Sequence, residues 1–160
     1  MNILAIIPAR YASSRFPGKP LALVNGKPMI QRVYEQASKA FDNVCVATDD
    51  QRIYDTVANF GGKVVMTSEN HSSGTDRCFE ALNNYTKESG MTFDIVVNVQ
   101  GDEPFIQPEQ ITALIECFND ATTDIATMVK PFAEEDGIEA LENPNSPKVV
   151  VSRSMKAIYF

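Results

Sequence analysis

The chain has 160 residues, of which 44% are hydrophobic and 22% charged, a composition near the soluble globular average that excludes a disordered or fibrous protein. Its formal net charge of −7 at pH 7 disfavours nucleic acid and membrane surfaces as partners. Three cysteines without a C-x-x-C pair indicate neither a disulfide framework nor a zinc site. No segment reaches the roughly 18 apolar residues of a membrane span. We therefore expect a soluble, cytoplasmic protein with one domain over residues 1–160.

Short apolar runs alternate with amphipathic segments along the chain. The run 3–7, which we expect Pro8 to close, is typical of a strand buried on both faces of a parallel sheet. Further runs predict strands over 44–48, 63–67, 93–99 and 124–129. Apolar residues at helical spacing predict helices that begin at Pro28, at Asp49 or Asp50, at Thr75 or Asp76, and after Pro108. The first of these helices should extend to Phe41, and the third should carry Phe79 on its apolar face.

This order of strands and helices predicts an α/β fold. Strands that alternate with helices at this spacing form right-handed βαβ crossovers and a doubly wound sheet. Two β-like runs over 148–152 and 156–160 predict a final hairpin, and we expect a mostly parallel, mixed sheet. Because the chain ends in apolar residues, we expect a fragment that is truncated at its C-terminus. Ligands of such sheets bind beyond the carboxyl ends of the strands.

The segment after the first strand, P-A-R-Y-A-S-S-R-F-P-G-K-P-L over 8–21, is the first candidate site. It carries Arg10, Arg15 and Lys19 within ten residues, and Gly18 allows a ligand to approach the backbone closely. Arginines make forked contacts to phosphate oxygens and a lysine supplies a mobile charge, so this loop can wrap a triphosphate. It matches neither the P-loop pattern nor G-x-G-x-x-G. The alternative is a solvated basic loop without a ligand.

The second candidate site is N-V-Q-G-D-E-P over 98–104, at the predicted end of the fourth strand. Asp102 lies just past the strand, where a carboxylate can ligate Mg²⁺ that is shared with substrate phosphates. Gln100 can hydrogen-bond a sugar or a base, and Gly101 allows close approach of a ligand. The alternative is a polar β-turn in which Asp102 holds local amides.

The third candidate site is H-S-S-G-T-D-R over 71–77, a small-residue loop that enters a predicted helix. Helix N-termini preceded by Ser and Gly present free amides to anionic groups. The alternative, which is compatible with ligand binding, is that Thr75 or Asp76 serves as an N-cap. His71 is the only histidine, and we expect an exposed loop residue. After the second strand, Asp49 and Asp50 fit a helix cap better than a ligand contact.

Six segments in this order and spacing resemble the 3-deoxy-manno-octulosonate (Kdo) cytidylyltransferases, also called CMP-Kdo synthetases. They are IPARYASSRFPGKPL, VATDD, MTSENHSSGTDR, NVQGDEPFI, NPNSPKVVV and KAIYF, and they span essentially the whole chain. The R-x-P-G-K pattern is shared with other sugar nucleotidyltransferases, whereas S-G-T-D-R combined with N-V-Q-G-D-E-P points to Kdo. The resemblance implies a fold like that of the nucleotide-diphospho-sugar transferases.

The resemblance also implies an activity. The enzyme would couple CTP to Kdo, giving CMP-Kdo and pyrophosphate for bacterial lipopolysaccharide synthesis, with Mg²⁺ as cofactor. The anomeric hydroxyl of Kdo would attack the α-phosphorus of CTP in line, so positioning and charge neutralisation would supply most of the catalysis. The full-length form would be a cytoplasmic homodimer. Members of this family continue well beyond the strand that here ends at Phe160, so the 160-residue chain itself should be a poor catalyst.

Roles are implied residue by residue. Arg10, Lys19 and Asp102 would be catalytic, with Asp102 as the Mg²⁺ ligand, and Gln100 would face the sugar. The residues implied to contact the nucleotide are Ala9, Arg10, Arg15, Lys19, Ser73, Gly74 and Thr75. A second metal-binding aspartate, most of the Kdo pocket and much of the dimer surface would lie beyond Phe160.

Two other functions stay open from the sequence. One is a cytidylyltransferase that acts on another acidic sugar, such as sialic acid. The other is a non-catalytic nucleotide-binding or interaction domain that kept the fold and the basic loop. Such a domain would be expected to lose its magnesium site, and Asp102 argues against it.

Overall fold

The structure, a computed structural model, describes residues 1–12 and 16–160. Contacts divide the chain into two compact units, Met1–Glu116 and Cys117–Phe160. The single domain expected over 1–160 stays a prediction. No helix in the described ranges is long and apolar enough to cross a membrane.

The first unit is built on a parallel sheet whose strands are joined by helices. The strands of its described part are β1 (Ile3–Ala9), β2 (Leu23–Val24), β3 (Lys27–Pro28), β4 (Val44–Thr48), β5 (Val64–Met66) and β6 (Ile95–Asn98). The helices are α1 (Met29–Ala37), α2 (Gln51–Asn59), α3 (Gly74–Ser89) and α4 (Pro108–Glu116). Strands β2 and β3 pair antiparallel as a small separate hairpin that the sequence pattern did not predict.

The central sheet has the strand order β5-β4-β1-β6 among the described residues, and every neighbouring pair is parallel. The chain first steps in one direction, from β1 through α1 to β4 and through α2 to β5. Helix α3 then leads back past β4 and β1 to β6. A right-handed crossover that reverses direction lies on the opposite face of the sheet, so the predicted doubly wound fold is confirmed. The point of reversal lies between β1 and β6.

Both faces of the sheet are packed, which explains the uninterrupted apolar runs of β1 and β4. One layer, on the α3 face, consists of Leu4, Ile6, Cys45, Ala47, Val65, Cys78 and Ala81. Alternate strand residues point to the other face, where the fully buried side chains from strands and helices include Ile7, Val46, Ile30, Val33, Ile53 and Val57. Burial of each such aliphatic side chain stabilises the fold by roughly 1.5–3 kcal/mol relative to exposure.

Strand β1 continues through Pro8 to Ala9, so the prediction that Pro8 closes it is wrong. Pairing with β6 ends at Ile6, which lies opposite Asn98, whereas pairing with β4 continues to Ala9. Consecutive residues of a parallel strand bond to opposite neighbours, and Ile6 already accepts from Val99 on the β6 side. The missing N–H of Pro8 therefore faces the side where the ladder has ended, and the pairing with β4 is undisturbed.

Two predicted helix boundaries are corrected. Helix α1 ends at Ala37, and Phe41 reaches the core from the following turn, where its amide donates to the Ala37 carbonyl at 3.1 Å. Helix α3 begins at Gly74 with Ser73 as its N-cap, rather than at Thr75 or Asp76. The Ser73 backbone is extended and its hydroxyl accepts a helix amide, as an N-cap requires.

Phe79 does not lie on the buried side of α3, because its side chain is 67% exposed. The buried face of this helix instead carries Arg77, Cys78 and Ala81. The preceding residue, Cys78, belongs to the core cluster instead.

The second unit contains α5 (Gly137–Glu142) and an antiparallel pair, β7 (Val150–Val151) and β8 (Ala157–Tyr159). This pair confirms the predicted hairpin, although its strands are shorter than the runs that indicated it. The strand predicted over 124–129 is wrong, since no described residue pairs with that stretch and Ile125 is 88% exposed. An apolar run without a neighbouring strand has no partner for its backbone groups.

Gly101 sits where a side chain would collide with backbone. A Cβ added there would lie 2.9 Å from the Pro8 carbonyl oxygen, whereas one added at Gly74 would meet only the Pro8 ring at 3.5 Å. We expect Gly101→Ala to lower the free energy of unfolding by about 1–3 kcal/mol, since the ends of β1 and β6 must move apart. Urea denaturation measures the change, with Gly74→Ala as the matched control. Equal stability of the two variants would contradict this packing.

Candidate active site

Three segments singled out from the sequence meet at the carboxyl ends of β1 and β6. The segment after β6 continues along β1, where the Val99 amide donates to the Ile6 carbonyl at 2.9 Å. Gly101 then packs against the Pro8 carbonyl, and Gly74, at the start of α3, lies on the Pro8 ring. This convergence falls at the point where the crossovers reverse direction, which is where doubly wound sheets form a crevice for ligands.

The basic loop and the segment after β6 are joined directly by an ion pair. Lys19 begins a short 3₁₀ turn, Lys19–Leu21, and its Nζ donates to Asp102 Oδ2 at 2.5 Å. The two side chains remain 38% and 50% exposed. An exposed pair contributes little to stability, because water and salt compete for both charges. Each side chain can therefore leave its partner and bind a ligand with little loss of free energy.

The two ends of the basic loop are also held together. The Gly18 amide donates to the Tyr11 carbonyl at 2.9 Å, and Gly18 has a positive φ of 73°. The Tyr11 ring lies beneath the guanidinium of Arg52, whose Cζ is 3.3 Å from the ring centroid. Asp50 holds that guanidinium through two hydrogen bonds of 3.0 and 2.6 Å. The Arg52 side chain in turn keeps the pKa of the Asp50 carboxyl below its usual value.

The start of α3 is capped and presents its first amides near the same edge. Ser73 Oγ accepts from the Asp76 amide at 3.1 Å and donates to the Asp76 carboxylate at 2.7 Å. Ser72 Oγ donates to the same carboxylate at 3.2 Å. The hydrogen bond from the Ser73 hydroxyl, and to a smaller extent the one from the Ser72 hydroxyl, holds the pKa of Asp76 below its usual value. Gly74 and Thr75 are the first two residues of the helix, where amides have no intrahelical acceptor.

Arg77 is a functional-site neighbour that the sequence analysis missed. It is almost fully buried and donates to Thr67 Oγ1 at 2.6 Å and to Asp49 Oδ2 at 2.5 Å. Thr67 and Asp49 follow β5 and β4, so this guanidinium ties the carboxyl ends of both strands to α3. The available signal was its spacing, since Arg77 lies one helical turn before the buried Ala81.

The two candidate caps of α2 have different roles. Asp50 is the N-cap, accepting from the Arg52 amide at 3.0 Å, and confirms one of the two predicted residues. Asp49 instead pairs with Arg77. Neither assignment could be chosen from the sequence, because both aspartates stand at cap spacing.

His71 is half-buried rather than exposed, which corrects the expectation for this residue. Its Nε2 hydrogen-bonds Glu80 Oε2, and the same carboxylate oxygen accepts from the Ser68 amide at 2.9 Å. The hydrogen bond from the Ser68 amide, and to a smaller extent the one with His71, holds the pKa of Glu80 below its usual value. Glu80 therefore fastens the loop that precedes α3 to the second turn of that helix.

The remaining predicted residues lie at this edge without a mutual side-chain contact among the described groups. Ala9 is the buried last residue of β1, and Arg10 follows it with an exposed side chain. Gln100 is exposed, with its Nε2 3.4 Å from Asn98 Oδ1. Arg15 lies outside the described residues. The nucleotide and sugar contacts assigned to these positions stay predictions.

The donor set at Asp102 fits an ion that arrives with phosphate. Within the described ranges no group of three or more His, Cys, Asp or Glu side chains could hold a metal alone. Mg²⁺ characteristically takes one or two carboxylates and completes its shell with substrate phosphates and water. A single exposed carboxylate beside a basic loop satisfies that requirement.

Comparison with known proteins identifies the family. A profile described as Cytidylyltransferase matches residues 4–160. The chain belongs to the cytidylyltransferase family. The match covers both units and includes each of the three segments that converge at Pro8.

Relatives of this chain carry a more specific name. The chain is 63% identical to the 3-deoxy-manno-octulosonate cytidylyltransferase of Phocaeicola vulgatus and 61% identical to that of Parabacteroides distasonis, over its whole length. It spans 62% of the length of each of these proteins. The resemblance inferred from the six motifs is thereby confirmed.

Solved structures agree with the fold. A CMP:2-keto-3-deoxy-manno-octonic acid synthetase complexed with CTP has a TM-score of 0.88 and 40% identity, covering 99% of this chain and 63% of that one. A 4-diphosphocytidyl-2C-methyl-D-erythritol synthase from Anaerococcus prevotii has a TM-score of 0.55 at 18% identity, covering 99% of this chain and 63% of that one. At that identity the second match supports the fold alone.

The Glu80 contacts predict an acid-dependent loss of stability. Because the folded pKa of Glu80 lies below its ordinary value of 4.5, its contribution is complete above that pH and is lost as the pH falls through the lowered folded value. Glu80→Gln should make the free energy of unfolding less dependent on pH between about pH 6 and pH 3, as measured by denaturation at a series of pH values. The matched control is Glu69→Gln, an exposed carboxylate in the same loop. If Glu80→Gln lost stability with falling pH as steeply as the wild type, this assignment would be contradicted.

Proposed function

We propose that the full-length gene product transfers the cytidylyl group of CTP to Kdo and releases pyrophosphate. The observation that carries this proposal is the Lys19–Asp102 pair at the carboxyl ends of β1 and β6. A cation and a carboxylate at this edge suit a triphosphate and its metal ion. The relatives named for this reaction, at 61–63% identity, support the choice of both substrates.

The reaction is a direct displacement at phosphorus. The anomeric oxygen of Kdo forms a bond to the α-phosphorus of CTP, and the bond from that phosphorus to the bridging oxygen breaks. Pyrophosphate leaves with the electron pair, and the hydroxyl proton passes to solvent. Catalysis of such a transfer rests on alignment and on charge stabilisation, so no nucleophilic side chain is needed.

The basic loop would hold the triphosphate. Arg10 and Arg15 would bind its oxygens through forked contacts, while Lys19 would offset the charge that develops on the departing pyrophosphate. Asp102 would hold Mg²⁺, which when bound neutralises phosphate charge. Because Lys19 and Asp102 pair with each other here, substrate entry would redirect each toward its own ligand.

Other assignments complete the proposal. Ser73, Gly74 and Thr75 would border the nucleotide with helix amides, Ala9 would line it with backbone, and Gln100 would face the sugar. Cytoplasmic localisation, a role in lipopolysaccharide synthesis and a homodimeric full-length form belong to the same proposal. They rest on the similarity to the named relatives.

The test measures pyrophosphate release by the full-length gene product. CTP, UTP, ATP and GTP are each offered with Kdo, with and without Mg²⁺, and CTP is then offered with a sialic acid. We expect Mg²⁺-dependent release only from CTP with Kdo. Release from CTP with the sialic acid but not with Kdo would assign a different acidic sugar. No release from any combination of nucleotide and sugar would favour a non-catalytic binding domain.

Substitutions at the ion pair test the two catalytic assignments. In the full-length gene product, Lys19→Ala and Asp102→Ala should each lower kcat on the order of 10²-fold or more, because each removes a group that stabilises developing charge. The matched controls are Lys39→Ala and Asp42→Ala, exposed charges just beyond α1. If either site variant turned over at the rate of its control, that residue's role would be wrong.

A further inference from the structure

The contacts at the base of the basic loop point to a role for Arg52 that no sequence motif indicated. Arg52 is the second residue of α2, on a different element from the loop. Its guanidinium nevertheless stacks on Tyr11, two residues beyond the end of β1. The stack therefore joins the start of α2 to the start of the loop.

The geometry of the guanidinium is fixed from the other side. Asp50 accepts from Nε and Nη2 of Arg52, and its Oδ1 also accepts the Arg52 backbone amide. A forked contact with a carboxylate fixes the orientation of the guanidinium plane. One face of this plane covers the Tyr11 ring.

Tyr11 passes this constraint on to Lys19. Its carbonyl accepts the Gly18 amide, and the phenol edge of its ring lies so near Gly18 that an added Cβ would come within 2.9 Å of Cε2. Gly18 immediately precedes Lys19, whose Nζ reaches Asp102. A continuous series of contacts thus runs from Asp50 through Arg52 and Tyr11 to the lysine.

We propose that Arg52 is a positioning residue that preorganises the phosphate-binding loop by stacking on Tyr11. The proposal rests on the proposed function, since it assumes that the loop binds the triphosphate of CTP. In this role Arg52 acts through Tyr11, and it raises the fraction of molecules in which the loop is ready to bind. A higher ready fraction lowers the apparent Kd in proportion and leaves the rate of the bound complex unchanged.

The test uses Arg52→Gln, Tyr11→Leu and the double variant of the full-length gene product. Titration calorimetry with CTP and Mg²⁺ should show that each single substitution weakens binding about two- to fivefold, the usual effect of one exposed cation–π contact. The double variant should bind no more weakly than the singles, because both substitutions remove the same contact. With Kdo present, kcat at saturating CTP should stay near the wild-type value.

Two control variants separate the stack from other effects. Tyr11→Phe keeps the aromatic ring and should bind CTP as the wild type does. Lys39→Gln removes an exposed positive charge whose ammonium group hydrogen-bonds Gln36, so it controls for the loss of net charge alone. Additive losses in the double variant would mean that Arg52 contacts the phosphates directly, and would overturn the proposal.

A second readout needs no nucleotide. Hydrogen exchange at the Gly18 amide, which donates to Tyr11, should be faster in Arg52→Gln and in Tyr11→Leu than in the wild type. Unchanged exchange, or unchanged CTP affinity in both single variants, would overturn the positioning role. If the wild type fails to bind CTP, the proposed function fails, and the exchange rates still decide whether the stack orders the loop.

Discussion

The structure depends on the position of β1 between β4 and β6. Both faces of this strand are covered, and it pairs with β6 as far as Ile6 and with β4 as far as Ala9. Pro8 stands at that end, and Gly101 and Gly74 pack against it from the segment after β6 and from the start of α3. The candidate site is therefore carried by the carboxyl end of an inner strand of the sheet, and its basic loop extends from that strand.

Two ion pairs at this edge differ in burial and hence in what they can do. The Arg77–Asp49 pair is 4% and 16% exposed and is completed by Thr67, so removal of one partner would leave a charge buried without compensation. The Lys19–Asp102 pair is 38% and 50% exposed, and water can replace either partner. Burial thus assigns the first pair to holding strand ends together and leaves the second available to a ligand.

Much of the site could be inferred from local pattern, because its segments follow strands whose apolar runs are unmistakable. The loop after β1, Asp102 after β6 and the small residues before α3 all lie at one sheet edge, as parallel strands require. What failed were features decided by neighbours: the strand over 124–129 found no partner, and Arg77 occupies a core position through two polar contacts. Periodicity records the apolar content of a face but not the partners that a charge meets there.

The sequence by itself determined the α/β class, the order of strands and helices and the family, because these depend on residue types at fixed spacings along the chain. Only the tertiary structure decided which aspartate caps α2 and which pairs with Arg77, and that Lys19 meets Asp102. The same is true of the stack of Arg52 on Tyr11. Lys19 and Asp102 are 83 residues apart in the chain, and no local preference encodes a contact that forms only when two strand ends are brought side by side.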